Sequence, residues 1–149
     1  MSVRTENSIL IKAPLEKIFE TTSNLLLWPE VLPHYRWIRI LRYGDDGLIV
    51  KMAARRGCLP IQWTSRFQAD PHARELRFEH LKAFTRGMQV LWTYTPTPEG
   101  VRVTISHTMD RASALGRWFA HRVLGEMFIR PVATRTLAHF KQYLEQNGD

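Results

Sequence analysis

From Ala114 to Gln146 apolar residues recur at spacings of three and four: Leu115, Trp118, Phe119, Val123 and Met127 before Pro131, then Val132, Leu137, Phe140 and Leu144 after it. That is the period of an α-helix, so the pattern draws one apolar stripe down a long C-terminal helix. Pro131 lacks an amide hydrogen and its ring crowds the carbonyl four residues back, so a kink or a junction between two helices is expected there. Such a stripe needs a broad apolar surface to lie on. Tyr35 to Asp110 supplies one, because the segment reads as short strands joined by hairpin-length turns at GDDG (44–47), Arg55 to Gly57, ADPHA (69–73), FTRG (84–87) and PTPEG (96–100). Short reversals of this kind make an antiparallel meander.

Upstream, Asn7 to Lys12 is an apolar strand carrying Ile9, Leu10 and Ile11. Ala13 and Pro14 open a helix whose buried face is Leu15, Ile18 and Phe19 and which ends by Ser23 and Asn24. LLLWPEVLP (25–33) is a second short helical piece bounded by Pro29 and Pro33. The expected fold is therefore α+β: a curved antiparallel sheet of about seven strands around a long C-terminal helix, with two short helices after the first strand. At 149 residues one domain over 1–149 is expected, large enough for a real core.

Side chains alternate across a strand, which assigns the inner face. It carries Ile61, Trp63, Ser65 and Phe67, then Leu76, Phe78 and His80, then Met88, Val90, Trp92 and Tyr94, then Val101, Val103, Ile105, His107 and Met109. Large apolar groups interrupted by a few polar ones are what a small-molecule cavity requires. The candidate ligand-binding residues are Trp28, Trp37, Trp63, Ser65, Phe67, Phe78, Trp92 and Tyr94, with Phe128 and Val132 from the helical stretch. Flat rings stack on planar ligands and lose little rotamer freedom in doing so. The same rings equally suit plain core packing, and Ser65 also suits the role of a small residue between Trp63 and Phe67. His80 and His107 are candidate catalytic residues, since a neutral imidazole accepts a proton from a methylene between carbonyls. Tyr35 joins them as a hydrogen-bond donor to a carbonyl or enolate.

The charge is +7, from 21 Lys and Arg against 14 Asp and Glu. It favours anionic partners, and an acidic carrier protein and an anionic membrane surface are the candidates. Nucleic acid is not expected, because no recognition motif accompanies the charge. A homodimer is a further candidate. The lone Cys58, the polar N-terminus and the absence of a run of about 20 apolar residues lead to an expectation of a cytoplasmic protein, peripheral at the membrane in the carrier case. No metal spacing, phosphate loop or dinucleotide fingerprint is present in the sequence, so neither metal nor cofactor is expected.

The opening RTENSILIKAPLEKIFETTSNLLLWPEVLPHY (4–35) resembles the start of the bacterial polyketide aromatase/cyclases, and WTSRFQADPHARELRFEH (63–80) and VLWTYTPTPEGVRVTISHTMD (90–110) resemble their central hairpins. LPHYRWIRILR (32–42) and WTSRFQADP (63–71) are similar to the coenzyme-Q-binding proteins. Both groups are branches of the helix-grip superfamily that also includes START domains and Bet v 1. The resemblance implies a hydrophobic ligand in an internal cavity, either a polyketide undergoing aldol cyclisation and dehydration or a quinone or lipid held by a non-catalytic carrier. It also implies a carbonyl-steering role for Tyr35. Aligned on Trp63 and Asp70, Phe67 stands where the cyclases carry an interior arginine, and Arg66 falls one residue away on the opposite face; a second interior basic position falls near His80.

Overall fold

The computed structural model describes residues 2–82, 85–110, 116, 118, 122 and 128–147. Strand β1 (Ser2–Ile11) is followed by helix α1 (Leu15–Ser23), a single 3₁₀ turn at Leu25–Leu27 and helix α2 (Trp28–Val31). Six strands follow: β2 (Tyr35–Gly44), β3 (Gly47–Arg56), β4 (Leu59–Asp70), β5 (Glu75–His80), β6 (Gln89–Thr97) and β7 (Gly100–Asp110). The last described element is helix α3 (Arg130–Asn147).

All seven strands form one antiparallel sheet in the order β1-β7-β6-β5-β4-β3-β2. The meander from β2 to β7 is therefore continuous, and β1 returns to pair along β7. β1 begins at Ser2, five residues before the expected strand start at Asn7. Its polar N-terminal half has no strand pattern of its own and is held by register with β7 from Ser2 opposite Asp110 to Ile11 opposite Val101.

Helix α3 lies across the concave side. Leu137, Phe140 and Leu144 are buried as the spacing predicts, together with Ala133 and Thr136. Polar clamps tie α3 to β1: Asn7 Nδ2 donates to Thr134 Oγ1 at 3.1 Å, Lys141 Nζ to the Leu10 carbonyl at 2.6 Å, and the Lys12 amide to Glu145 Oε2 at 2.8 Å. Pro131 is the second residue of α3. Phe128 and Ile129 just before it have π-helical geometry, so the backbone does change at the proline. Of the stripe expected before Pro131, Leu115, Phe119, Val123 and Met127 lie outside the described residues. Trp118 is exposed rather than buried.

The core gathers around Trp28. Its ring meets Tyr35, Trp92, Phe140 and Phe78 at centroid distances of 5.2, 5.5, 5.7 and 5.9 Å, and its Nε1 donates to the Thr22 carbonyl at 3.0 Å. The short WPEV helix thus sends its tryptophan inward as a plug that sheet and α3 both touch. Burying each such ring contributes about 2–3 kcal/mol.

Candidate functional site

A cavity of about 420 Å³ remains between the concave face of the sheet and the start of α3. Trp28, Tyr35, Trp63, Phe78, His80, Trp92, His107, Phe128 and Val132 line it. Register explains why the strand residues converge. Phe67 pairs with Phe78, Phe78 with Val90, and Val90 with His107, so one inward row crosses β4, β5, β6 and β7, and Ser65 pairs with His80 in the neighbouring inward row. The mouth is marked by Leu59, Pro60 and Gln62 of the β3–β4 hairpin, which line the cavity while remaining exposed to solvent.

The walls are mostly apolar, and no Asp, Glu, Lys or Arg is among the described lining residues. His80 lies parallel to the Trp63 indole at 9° and 6.0 Å between centroids, and its Nδ1 is 3.0 Å from Thr85 Oγ1. His107 Nδ1 is buried without a hydrogen-bond partner among the described residues. Burial pushes the His80 pKa down to about 4, and burial together with the neighbouring His80 pushes His107 down to about 3. Both rings are therefore neutral at pH 7, each with a lone pair able to accept a proton or a hydrogen bond. Burial raises the Tyr35 pKa well above its ordinary value, so its hydroxyl stays protonated. That hydroxyl is already engaged by the Thr136 side chain, with which a ligand carbonyl must compete. His34 Nε2 sits 2.9 Å from the same Thr136 Oγ1, and Thr136 donates to the Val132 carbonyl at 2.8 Å.

Four of the expected lining residues stand elsewhere. Trp37 is on the convex face because a β-bulge between Tyr35 and Trp37 interrupts the alternation, leaving Tyr35 and Ile38 inward; the Arg39 guanidinium covers its ring at 4.1 Å. Phe67 is buried against Phe78 at 4.8 Å, beyond the cavity wall. Ser65 is fully buried and its hydroxyl has no partner among the described residues. Tyr94 is capped by α1, its hydroxyl 2.7 Å from Thr22 Oγ1. Conversely, Thr136 and Gln62 line the cavity without having been singled out. Thr136 had a legible signal, since it falls midway between Val132 and Phe140 at helical spacing. Gln62 had none: strand alternation points it away from Trp63, and only its place at the mouth brings it to the cavity.

Arg66, on the convex face, bridges Asp46 at 3.3 Å and Glu79 at 3.0 Å. No described guanidinium thus enters the cavity, and the neutral histidines are its most basic groups.

A family model described as polyketide cyclase / dehydrase and lipid transport matches residues 2–145. A putative polyketide cyclase of Streptomyces halstedii is 29% identical over 105 residues, covering 68% of this chain and 95% of its own. Among solved structures, the Zhui aromatase/cyclase of Streptomyces sp. R1128 superposes with a TM-score of 0.81 at 17% identity, over 99% of this chain and 96% of that one. A START superfamily protein from Mycobacterium smegmatis gives 0.66 at 13% identity, over 94% and 98%. At these identities the two structures speak for the helix-grip fold.

Proposed function

The chain belongs to the polyketide cyclase / dehydrase and lipid transport family, and from that premise we propose that its cavity holds a neutral, planar polyketide and assists aldol cyclisation and dehydration. The observation that carries this reading is the pairing of aromatic walls with two neutral imidazoles and a protonated phenol in one enclosed space. A ligand burying about 300 Å² of apolar surface gains about 7 kcal/mol before association costs, so the aromatic walls supply the main driving force for binding. In the catalytic sequence His107 or His80 accepts a proton from a methylene between two carbonyls. The resulting enolate carbon attacks a second carbonyl of the same chain, polarised by the Tyr35 hydroxyl, and forms a carbon–carbon bond and an alkoxide. The imidazolium returns its proton to that alkoxide, and loss of water then gives the conjugated ring. The walls do the folding, because a poly-β-ketone confined between Trp63 and Trp92 has few ways to bring its ends together.

Binding is tested by quenching of tryptophan fluorescence with a neutral hydroxyanthraquinone. Trp63→Ala should weaken binding at least tenfold and Arg66→Ala by less than twofold, since the two side chains occupy opposite faces. Equal losses would overturn the assignment of the site. The catalytic step is tested by adding the protein to a polyketide synthase reaction: a shift toward cyclised aromatic product that is abolished in the His80→Phe, His107→Phe double variant is expected. One observation favours a second reading, a non-catalytic carrier of a quinone or lipid. The described lining has no carboxylate or cation to hold or stabilise developing charge. Tight ligand retention with an unchanged product profile would select the carrier.

A further inference from the structure

His34 is buried behind two lining residues, Tyr35 and Thr136, without lining the cavity itself. Its place is fixed from two sides. Its carbonyl accepts from the Arg55 amide of β3 at 2.7 Å, and its ring meets Tyr35 edge-on at 5.0 Å and His139 of α3 at 6.0 Å between centroids. Within that frame Nε2 stands 2.9 Å from Thr136 Oγ1, while Nδ1 is buried with no partner among the described residues. A ring placed for packing alone needs no such contact.

The hydrogens around Thr136 assign the roles. A hydroxyl has one hydrogen and two lone pairs. Thr136 gives its hydrogen to the Val132 carbonyl at 2.8 Å, so toward its other neighbours Oγ1 accepts. The His34 ring also meets the Val132 carbonyl, which can only accept, and since Nδ1 has no partner the nitrogen concerned is Nε2. Both contacts require a neutral ring with its hydrogen on Nε2. Burial, reinforced by His139 and then Arg135, keeps the ring neutral at pH 7. Two donors therefore compete for Oγ1, the His34 Nε2–H and the Tyr35 hydroxyl.

That competition matters when a ligand arrives. A ligand carbonyl draws the Tyr35 hydrogen away from Thr136, and a buried oxygen stripped of its donor is costly. With His34 in place Oγ1 keeps a donor, and Tyr35 turns to the ligand at little cost. We propose that His34 is a positioning residue that acts through Thr136 to release the Tyr35 hydroxyl to a ligand carbonyl, and so sets a preference of the cavity for carbonyl-bearing rings over hydrocarbons of the same shape. The proposal rests on the reading of the cavity as a carbonyl-binding site, and it gives His34 no contact with the ligand.

The test compares anthraquinone with anthracene, the same fused rings with and without carbonyls, by quenching of tryptophan fluorescence. Wild type should prefer anthraquinone. His34→Met, which keeps bulk but has no donor, should weaken anthraquinone binding about tenfold, from the cost of one unsatisfied buried oxygen, and leave anthracene binding unchanged. His34→Gln, whose side-chain amide brings an N–H to nearly the same point, should restore anthraquinone binding. In a Tyr35→Phe background His34→Met should add nothing, because the hydroxyl it releases is gone. Equal weakening of both ligands by His34→Met, or additive losses in the double variant, overturns the proposal and leaves the cavity reading standing. Failure of wild type to bind either ligand overturns both. A second readout needs neither ligand nor variant: the nitrogen NMR spectrum of the wild-type His34 ring at pH 7. Hydrogen on Nε2 supports the proposal, and hydrogen on Nδ1 overturns it.

Discussion

At the residue scale, the polar groups of the interior divide into those with partners and those without. Thr22, Tyr94 and Trp28 form a closed set, with the Thr22 hydroxyl also donating to the Ile18 carbonyl at 2.8 Å, and this set belongs to packing. His107 Nδ1 and Ser65 Oγ have no partner among the described residues, yet their settings differ: His107 lines the cavity and Ser65 does not. A buried hydroxyl that bonds nothing costs about 1–3 kcal/mol. Ser65→Ala is therefore expected to raise stability by about 1 kcal/mol in urea unfolding and to leave hydroxyanthraquinone affinity unchanged. A loss of stability above 1 kcal/mol would mean that the hydroxyl is satisfied in solution. Phe67 has the parallel lesson for the missing guanidinium: a phenyl ring packed on Phe78 fills the space with no charge to compensate, and the cavity is left to its histidines.

At the scale of elements, the hairpins set how the sheet curves and where its lips fall, and their glycines do not contribute equally. Gly100 opens β7 at φ +153°, and a Cβ there would lie 2.7 Å from the Ile11 carbonyl oxygen. Gly57, at the tip of the β3–β4 hairpin, has φ +62° and nothing near the same position. Gly100→Ala should accordingly cost about 2–3 kcal/mol by combining backbone strain with a collision against β1, while Gly57→Ala costs about 1 kcal/mol from the left-handed backbone alone. Chemical denaturation of both variants checks the order, and equal costs would show that β1 can retreat from β7. The bulge in β2 acts at this scale too. One extra residue turns Trp37 to the convex side, where Arg39 covers it, and keeps Tyr35 in the cavity.

For the molecule as a whole, neutral buried histidines link stability to pH. His34 and His80 are held down to about 4 and His107 to about 3, chiefly by burial, with His139 and then Arg135 adding to the effect on His34. An unfolded chain protonates the same rings near pH 6.5, so between about pH 6.5 and 4 it binds more protons than the folded state, and stability falls as pH falls. At pH 5 each ring costs about 2 kcal/mol, which for three is a large part of a domain's total of about 5–15 kcal/mol. The melting temperature should drop between pH 7.5 and 5, and by less in His107→Gln; a flat profile would refute neutral burial. The sequence by itself determined the helix-grip architecture, because strand alternation, hairpin turns and the Val132–Leu144 stripe are local periodicities that read the same in any context. It also determined that Trp63, His80, Trp92 and His107 face inward. Tertiary structure alone decided which inward residues reach the ligand space. Phe67 and Tyr94 obey the same alternation yet end against Phe78 and under α1, and Trp37 is turned out by a bulge. The cause is physical: pattern fixes a side chain's face, whereas its depth depends on how far the closing sheet, the α1 cap and the start of α3 stand apart, and that separation is set by contacts between residues distant in the chain.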